Sequence, residues 1–267
     1  MVRNLAILIF VSFQFLLVSG QVKYHEIRIG TGRVSYYNAL IVPSGLPGIN
    51  YSLQYRSVKI SNAKQFSFKA NLSYNKLEGE NKEVREVMFK PYHLTELNIA
   101  WQWGRNISVP LPNFNLHLGA NLSLNGLWEV ASWPTGYHYG YIFSKGHYGS
   151  WHFAPGMCAS IAKEFKSINL QYDFTIPFLV FGFFEEYQNS ILSTHFNDNF
   201  LYYATPNTLS TIYRFFNPET SISVIKYLDK CKRKGLKLGY NYSYWRSSIH
   251  KRVVKKQIHS LTIGVIF

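Results

Sequence analysis

Apolar and polar side chains alternate with a period of two along nearly the whole chain. In FNLHLGANLSLN, Phe114, Leu116, Leu118, Ala120, Leu122 and Leu124 share one face, while Asn115, His117, Gly119, Asn121, Ser123 and Asn125 share the other. Successive side chains of an extended strand point to opposite faces, so this pattern reads as a β-strand with one apolar and one polar side. FSFKANLSYN, ELNIAWQW, SINLQYDFTIPF and LKLGYNYSYW repeat it. Soluble strands average about five or six residues. These run to about ten or more, the length needed to cross a bilayer at a tilt.

The composition of the two faces decides between oil and water. The apolar face is Leu, Ile, Phe and Tyr; the other is Asn, Ser, Thr, Gln and Gly with a few charges. A lipid-facing wall needs the first set outside, and the second can hydrogen-bond within a lumen. Lipid offers the backbone no partners, so an open sheet is excluded and the strands must close on themselves. After residue 20 no stretch has about 20 consecutive apolar residues, which excludes a helical span. Trp101, Trp103, Tyr242 and Tyr244 sit towards the ends of their apolar faces, as interfacial girdles require. A secreted soluble β-sandwich or lipocalin-like barrel is the rival, since its strands alternate too.

The expected fold is all-β: a single closed antiparallel transmembrane β-barrel. Candidate strands near 24–35, 49–60, 66–77, 91–104, 114–127, 150–163, 167–181, 199–205, 209–216, 221–229, 236–248 and 253–267 suggest about twelve. The eighth to tenth are weakly marked, so ten is also allowed. Residues 61–65 and 164–167 read as tight turns, and 36–48, 78–90, 128–149 and 182–198 as long loops. Short turns on one side and long loops on the other suit a barrel with periplasmic turns and external loops. Residues 105–113, with Pro110 and Pro112, 217–220 and 250–252 read as further connections.

Residues 1–20 stand apart. Arg3, an apolar run from Leu5 to Val18, and the small Ser19 and Gly20 before Gln21 form a secretory signal peptide, leaving residues 21–267 as one barrel domain. Its removal takes Arg3 and lowers the formal charge from +14 to +13. For an exported chain that excess points to lipid head groups and lipopolysaccharide rather than nucleic acid. Cys158 and Cys231 have no spacing that marks a metal site, and no cofactor or metal is expected.

The closing VKKQIHSLTIGVIF, with Leu261, Ile263, Val265 and Phe267 at alternate positions, resembles the last strand of a Gram-negative outer-membrane β-barrel. The Tyr- and Lys-rich closing hairpin is similar to uncharacterised barrels of Bacteroidota. The resemblance implies that these four residues are a recognition signal for the barrel-assembly machinery.

Chemistry-bearing arrangements are sparse. Outer-membrane phospholipases carry a His-x-Ser-Asn-Gly stretch, whereas here His117 lies six residues before Ser123, about 20 Å along a strand. His259 and Ser260 are adjacent and face opposite ways, Ser193 precedes His195 in a loop, and Glu185, Glu186 and Asp198 read as a solvated loop. The inward face carries Arg56, Lys69, Glu96, His117, His152, Asp173 and Lys237. Such buried charges must pair or meet water. They either plug a narrow barrel as an ionic network or line a small pore. The aromatic 128–149 segment and the 182–198 loop are candidates for meeting a partner protein, and Lys145, Lys251 and Arg252 for meeting lipopolysaccharide phosphates. The expectation is a non-enzymatic barrel with a structural, partner-binding or narrow-channel role. A lipid-modifying barrel enzyme of the phospholipase or lipid A deacylase type is the alternative.

Overall fold

A computed structural model describes residues 22–38, 42–61, 64–77, 92–131, 146–184, 208–229, 234–249 and 252–267. They form β1 (Val22–Asn38), β2 (Val42–Ser61), β3 (Lys64–Leu77), β4 (Tyr92–Ser108), β5 (Phe114–Ala131), β6 (Gly146–Phe165), β7 (Ile168–Pro177), β8 (Leu179–Phe184), β9 (Thr208–Thr211), β10 (Phe215–Phe216), β11 (Glu219–Tyr227), β12 (Gly235–Ile249) and β13 (Arg252–Ile266). The signal-peptide segment lies outside the described residues.

The sheet closes on itself. Each strand pairs antiparallel with its neighbours, β1 pairs with β13 from Glu26↔Ile266 to Asn38↔Val254, and β5 pairs with β6. The thirteen elements make ten wall strands. β7 and β8 both lie along β6, and the register slips by one residue at Phe178, a bulge within a single strand. β9 lies along β8, β10 along β12, and β11 along β7 and β12, so these three are one interrupted strand.

Two of the expected late strands, 209–216 and 221–229, therefore fuse, and 199–205 lies outside the described residues. The ring has ten strands, the lower of the two numbers read from the sequence. Residues 217–220, read as a loop, sit inside that interrupted strand. The long loop expected at 36–48 is mostly wall, because β1 reaches Asn38 and β2 starts at Val42. The 128–149 segment is also shorter than expected. Trp128–Ala131 belong to β5 and Gly146–Gly149 to β6, and only 132–145 lie outside the described residues. Likewise Gly182–Phe184 belong to β8, leaving 185–198 undescribed.

The alternation maps onto the wall. Ile27, Ile29, Tyr51, Leu72, Leu118, Ile222, Leu238 and Ile263 are exposed on the outside. Their neighbours Glu26, Arg28, Asn50, Ser73, His117, Ser223, Lys237 and Thr262 are buried inside. Val22, Phe267 and the strand ends at Ser61 and Lys64, Ser108 and Phe114, Phe165 and Ile168, and Tyr227 and Gly235 share one rim. There His25 and Phe267 exchange two backbone hydrogen bonds of 2.8 and 3.0 Å, and their rings stack at 5.8 Å. Strands of up to 20 residues exceed the roughly ten that a bilayer requires, so the wall continues beyond the apolar belt at the opposite rim.

Candidate functional site

Among the described residues, polar side chains from many strands converge in the lumen, which has two zones. Towards the rim away from the termini it is apolar. Val34, Tyr36, Leu46, Leu77, Leu94, Leu127, Ala154, Val180, Phe215, Trp245, Val254 and Ile258 form one buried cluster. Phe215 stands edge-on to His152 at 4.8 Å and to Trp245 at 6.0 Å. The wall here rises past the lipid, so the interior packs like the core of a soluble barrel.

Below this cluster the inward faces are ionic. Glu26 takes Arg28 Nε at 2.5 Å and Lys237 Nζ at 3.3 Å, and all three residues are buried. Gly264 makes this grouping feasible. It lies between Arg28 and Lys237 in the pairing register, and a Cβ there would stand 2.4 Å from Arg28 Cγ. Arg56 reaches Asp173 at 3.8 Å, from wall strands five places apart in the ring of ten. Gln171 Nε2 donates to Asp173 at 2.8 Å, and Ser221 Oγ donates to it at 3.3 Å.

The two zones meet at Lys256. Its ammonium pairs with Glu96 across the lumen and lies 5.6 Å from the Trp245 ring. Asn50 donates to Asn75, and Asn75 donates to the other oxygen of Glu96, each at 2.8 Å. Gln102 Nε2 donates to Thr175 at 3.3 Å, another tie across the bore. A cavity of about 160 Å³ remains between these ties, lined among others by Lys69, Asn71, Glu96, Asp173, Glu219 and Lys256.

All seven residues singled out from the sequence (Arg56, Lys69, Glu96, His117, His152, Asp173 and Lys237) occupy inward positions of their strands. They do not gather at one centre. Lys237 joins the Glu26 group, Arg56 and Asp173 form a pair, Glu96 joins Lys256, and His152 belongs to the aromatic contacts. Sequence reasoning missed Glu26, Arg28, Lys256 and Glu219. The signal was present: Glu26 and Arg28 alternate with Ile27 and Ile29, and Lys256 shares the parity of Ser260 and Thr262.

His117, Ser160 and Asp173 fall in one inward row across β5, β6 and β7. The serine stands between the other two, Asp173 is engaged by Arg56, and His117 Nδ1 faces Asn106 Oδ1 at 3.2 Å. In a catalytic triad the acid orients the histidine, which this order does not provide. His259 is on the outer wall and Ser260 in the lumen. Ser193, His195, Glu185, Glu186, Asp198, Lys145, Cys231 and Lys251 lie outside the described residues. Cys158 is buried, inward and free, with its Sγ 3.5 Å from the Ala120 carbonyl. Among the described residues no cluster of His, Cys, Asp or Glu is placed to hold a metal.

A closed antiparallel ring with an apolar exterior belt and a polar interior is an outer-membrane β-barrel, and it places the protein in the bacterial outer membrane. No protein-family model matches the sequence, and no curated protein does. Solved structures with a similar fold include three bacterial outer-membrane proteins. The outer membrane protease OmpT of Escherichia coli is 8% identical, over 94% of this chain and 98% of that one, with a TM-score of 0.48. Neisserial surface protein A is 10% identical, over 90% and 96%, at 0.34. The translocator domain of the autotransporter NalP from Neisseria meningitidis is 8% identical, over 100% and 96%, at 0.38. The particular role of this barrel has to be read from its own geometry.

Proposed function

We propose that this protein is an occluded, non-enzymatic outer-membrane barrel: a scaffold that holds its external rim rigid for a partner rather than a conduit. The observation that carries this reading is the pair of stacked zones in the lumen. An ionic layer tied across the bore by Arg56–Asp173 and Lys256–Glu96 lies beneath an apolar layer centred on Tyr36, Phe215 and Trp245. Water-filled channels need continuous polar space, and an apolar constriction excludes water and ions. A ring of ten strands is close to the eight-stranded size that side chains fill completely.

The 128–149 and 182–198 segments, of which 132–145 and 185–198 lie outside the described residues, are the surfaces through which a protein partner would be met. Leu261, Ile263, Val265 and Phe267, exposed on the outer wall, are the surface offered to the assembly machinery. Lipid-hydrolase activity has no support in the register of the Ser and His residues described above. The test is single-channel recording of the purified barrel in a planar bilayer, alongside phospholipid and lipid A turnover assays. Silence in both supports the scaffold. Conductance steps, or turnover that one Ser or His substitution abolishes, would replace it with a channel or an enzyme.

A further inference from the structure

On β12, β13 and β1 the outer wall changes from apolar to basic within three rows. The lower rows on these strands are Leu236, Leu238 and Tyr240; Val265, Ile263 and Leu261; and Ile27 and Ile29. The next three rows upward are Arg33–His259–Tyr242, Ser35–Gln257–Tyr244 and Tyr37–Lys255–Arg246. Arg33, Lys255 and Arg246 are exposed. None of them has a carboxylate within ion-pair distance among the described residues. The flanking positions are Ile49 and Pro47 on β2, Thr220 on β11 and Phe216 on β10, so none of these described neighbours is acidic.

Lys255 and Arg246 are direct cross-strand partners. Like charges directly opposed destabilise a sheet. Here nothing in the described chain offsets them, and an anion between them would. The surrounding groups are already arranged. Lys255 Nζ lies 5.5 Å from the Tyr37 ring, and His259 is held by Tyr240 Oη at its Nδ1 (2.5 Å) and by Gln257 at its Nε2 (2.8 Å).

The height of the patch identifies the occupant. His259 is eight residues and Lys255 twelve residues up β13 from Phe267. At about 3.4 Å per residue and a tilt near 40°, they stand about 21 and 31 Å above the lower rim. These heights bracket the top of an apolar band about 25 Å tall. That is where the head groups of the outer leaflet lie.

We propose that Arg33, Lys255 and Arg246 form a docking site for a phosphorylated glycolipid of the outer leaflet. Its phosphate sits between Lys255 and Arg246, its sugars lie against Tyr37, Tyr242 and Tyr244, and its acyl chains run down Leu261, Ile263 and Leu238. This site is independent of whether the lumen is occluded.

The test uses the full mature chain refolded in zwitterionic detergent micelles and titrated with bis-phosphorylated lipid A, dephosphorylated lipid A or phosphatidylglycerol. The variant is Arg33→Gln/Arg246→Gln/Lys255→Gln, with Arg33→Lys/Arg246→Lys as its charge-conserving counterpart. Heat-modifiable gel migration confirms that each is folded. Wild type should bind phosphorylated lipid A at least tenfold tighter than either other lipid. The triple variant should lose about a hundredfold, in line with the attraction each basic residue has for an anionic lipid surface, and the lysine variant should keep its affinity within about threefold. Equal affinity for the dephosphorylated lipid, equal affinity for phosphatidylglycerol, or an unchanged triple variant would each overturn the assignment.

Discussion

Glu26→Gln removes one negative charge from the centre of the ionic layer without changing its shape. Glu26 is 1% exposed, and its two cations, Arg28 and Lys237, are 6% and 1% exposed. They stand 2.5 and 3.3 Å from the Glu26 carboxylate. In a dry lumen, the substitution leaves two buried cations without their counter-ion. Breaking a buried pair in this way costs about 3–5 kcal/mol. In a water-filled lumen the same contacts would behave like surface pairs, worth about 0.2–1 kcal/mol. The assay is urea unfolding of the barrel refolded into phosphatidylcholine vesicles, followed by tryptophan fluorescence and by heat-modifiable migration. The expected loss is about 3 kcal/mol or more. Replacing the group together, Glu26→Leu with Arg28→Met and Lys237→Met, should recover most of it, because apolar packing of similar volume substitutes well for a buried ion group. A loss below about 1 kcal/mol for Glu26→Gln would refute a dry ionic plug.

Three further outcomes follow from the packing. Gly264→Val puts a side chain into Arg28 and should cost about 1–3 kcal/mol by overpacking, read in the same urea titration. Phe215→Ala should cost about 3–5 kcal/mol, because Phe215 is 1% exposed against His152 and Trp245. Deleting Phe267 should lower the amount of folded barrel recovered from outer membranes more than it lowers the urea midpoint of protein refolded in vitro. Equal losses in both would reduce Phe267 to its rim contacts with His25.

The wall was legible in the sequence because a barrel in lipid imposes one rule on every strand. Leu261, Ile263 and Val265 must face out, and Ser260, Thr262 and Gly264 must face in. The strand count was harder. Phe178 adds one residue to β7–β8, and residues 212–214 and 217–218 break the next strand, so the alternation loses phase where the chain stays in the wall. The long loop at 36–48 failed for a related reason: Pro43, Gly45, Pro47 and Gly48 look like turn residues, but β2 passes through them above the lipid belt.

The lumen was half legible. Parity places Arg56, Asp173 and Lys237 inside, yet partners such as Lys256 and Glu96 come from wall strands that are not neighbours, and no local pattern pairs them. The apolar cap was invisible for a physical reason. Tyr36, Phe215 and Trp245 face inward where the outside is no longer lipid, so the apolar-out rule reverses there.

Occlusion of the lumen is tested most directly by single-channel current through the refolded mature protein in a planar bilayer at high salt. Two stacked zones of buried side chains predict a trace at the lipid baseline across the voltage range. Reproducible unitary steps from the wild-type barrel would contradict it and turn Arg56, Lys69, Glu96 and Asp173 from a plug into the lining of a pore.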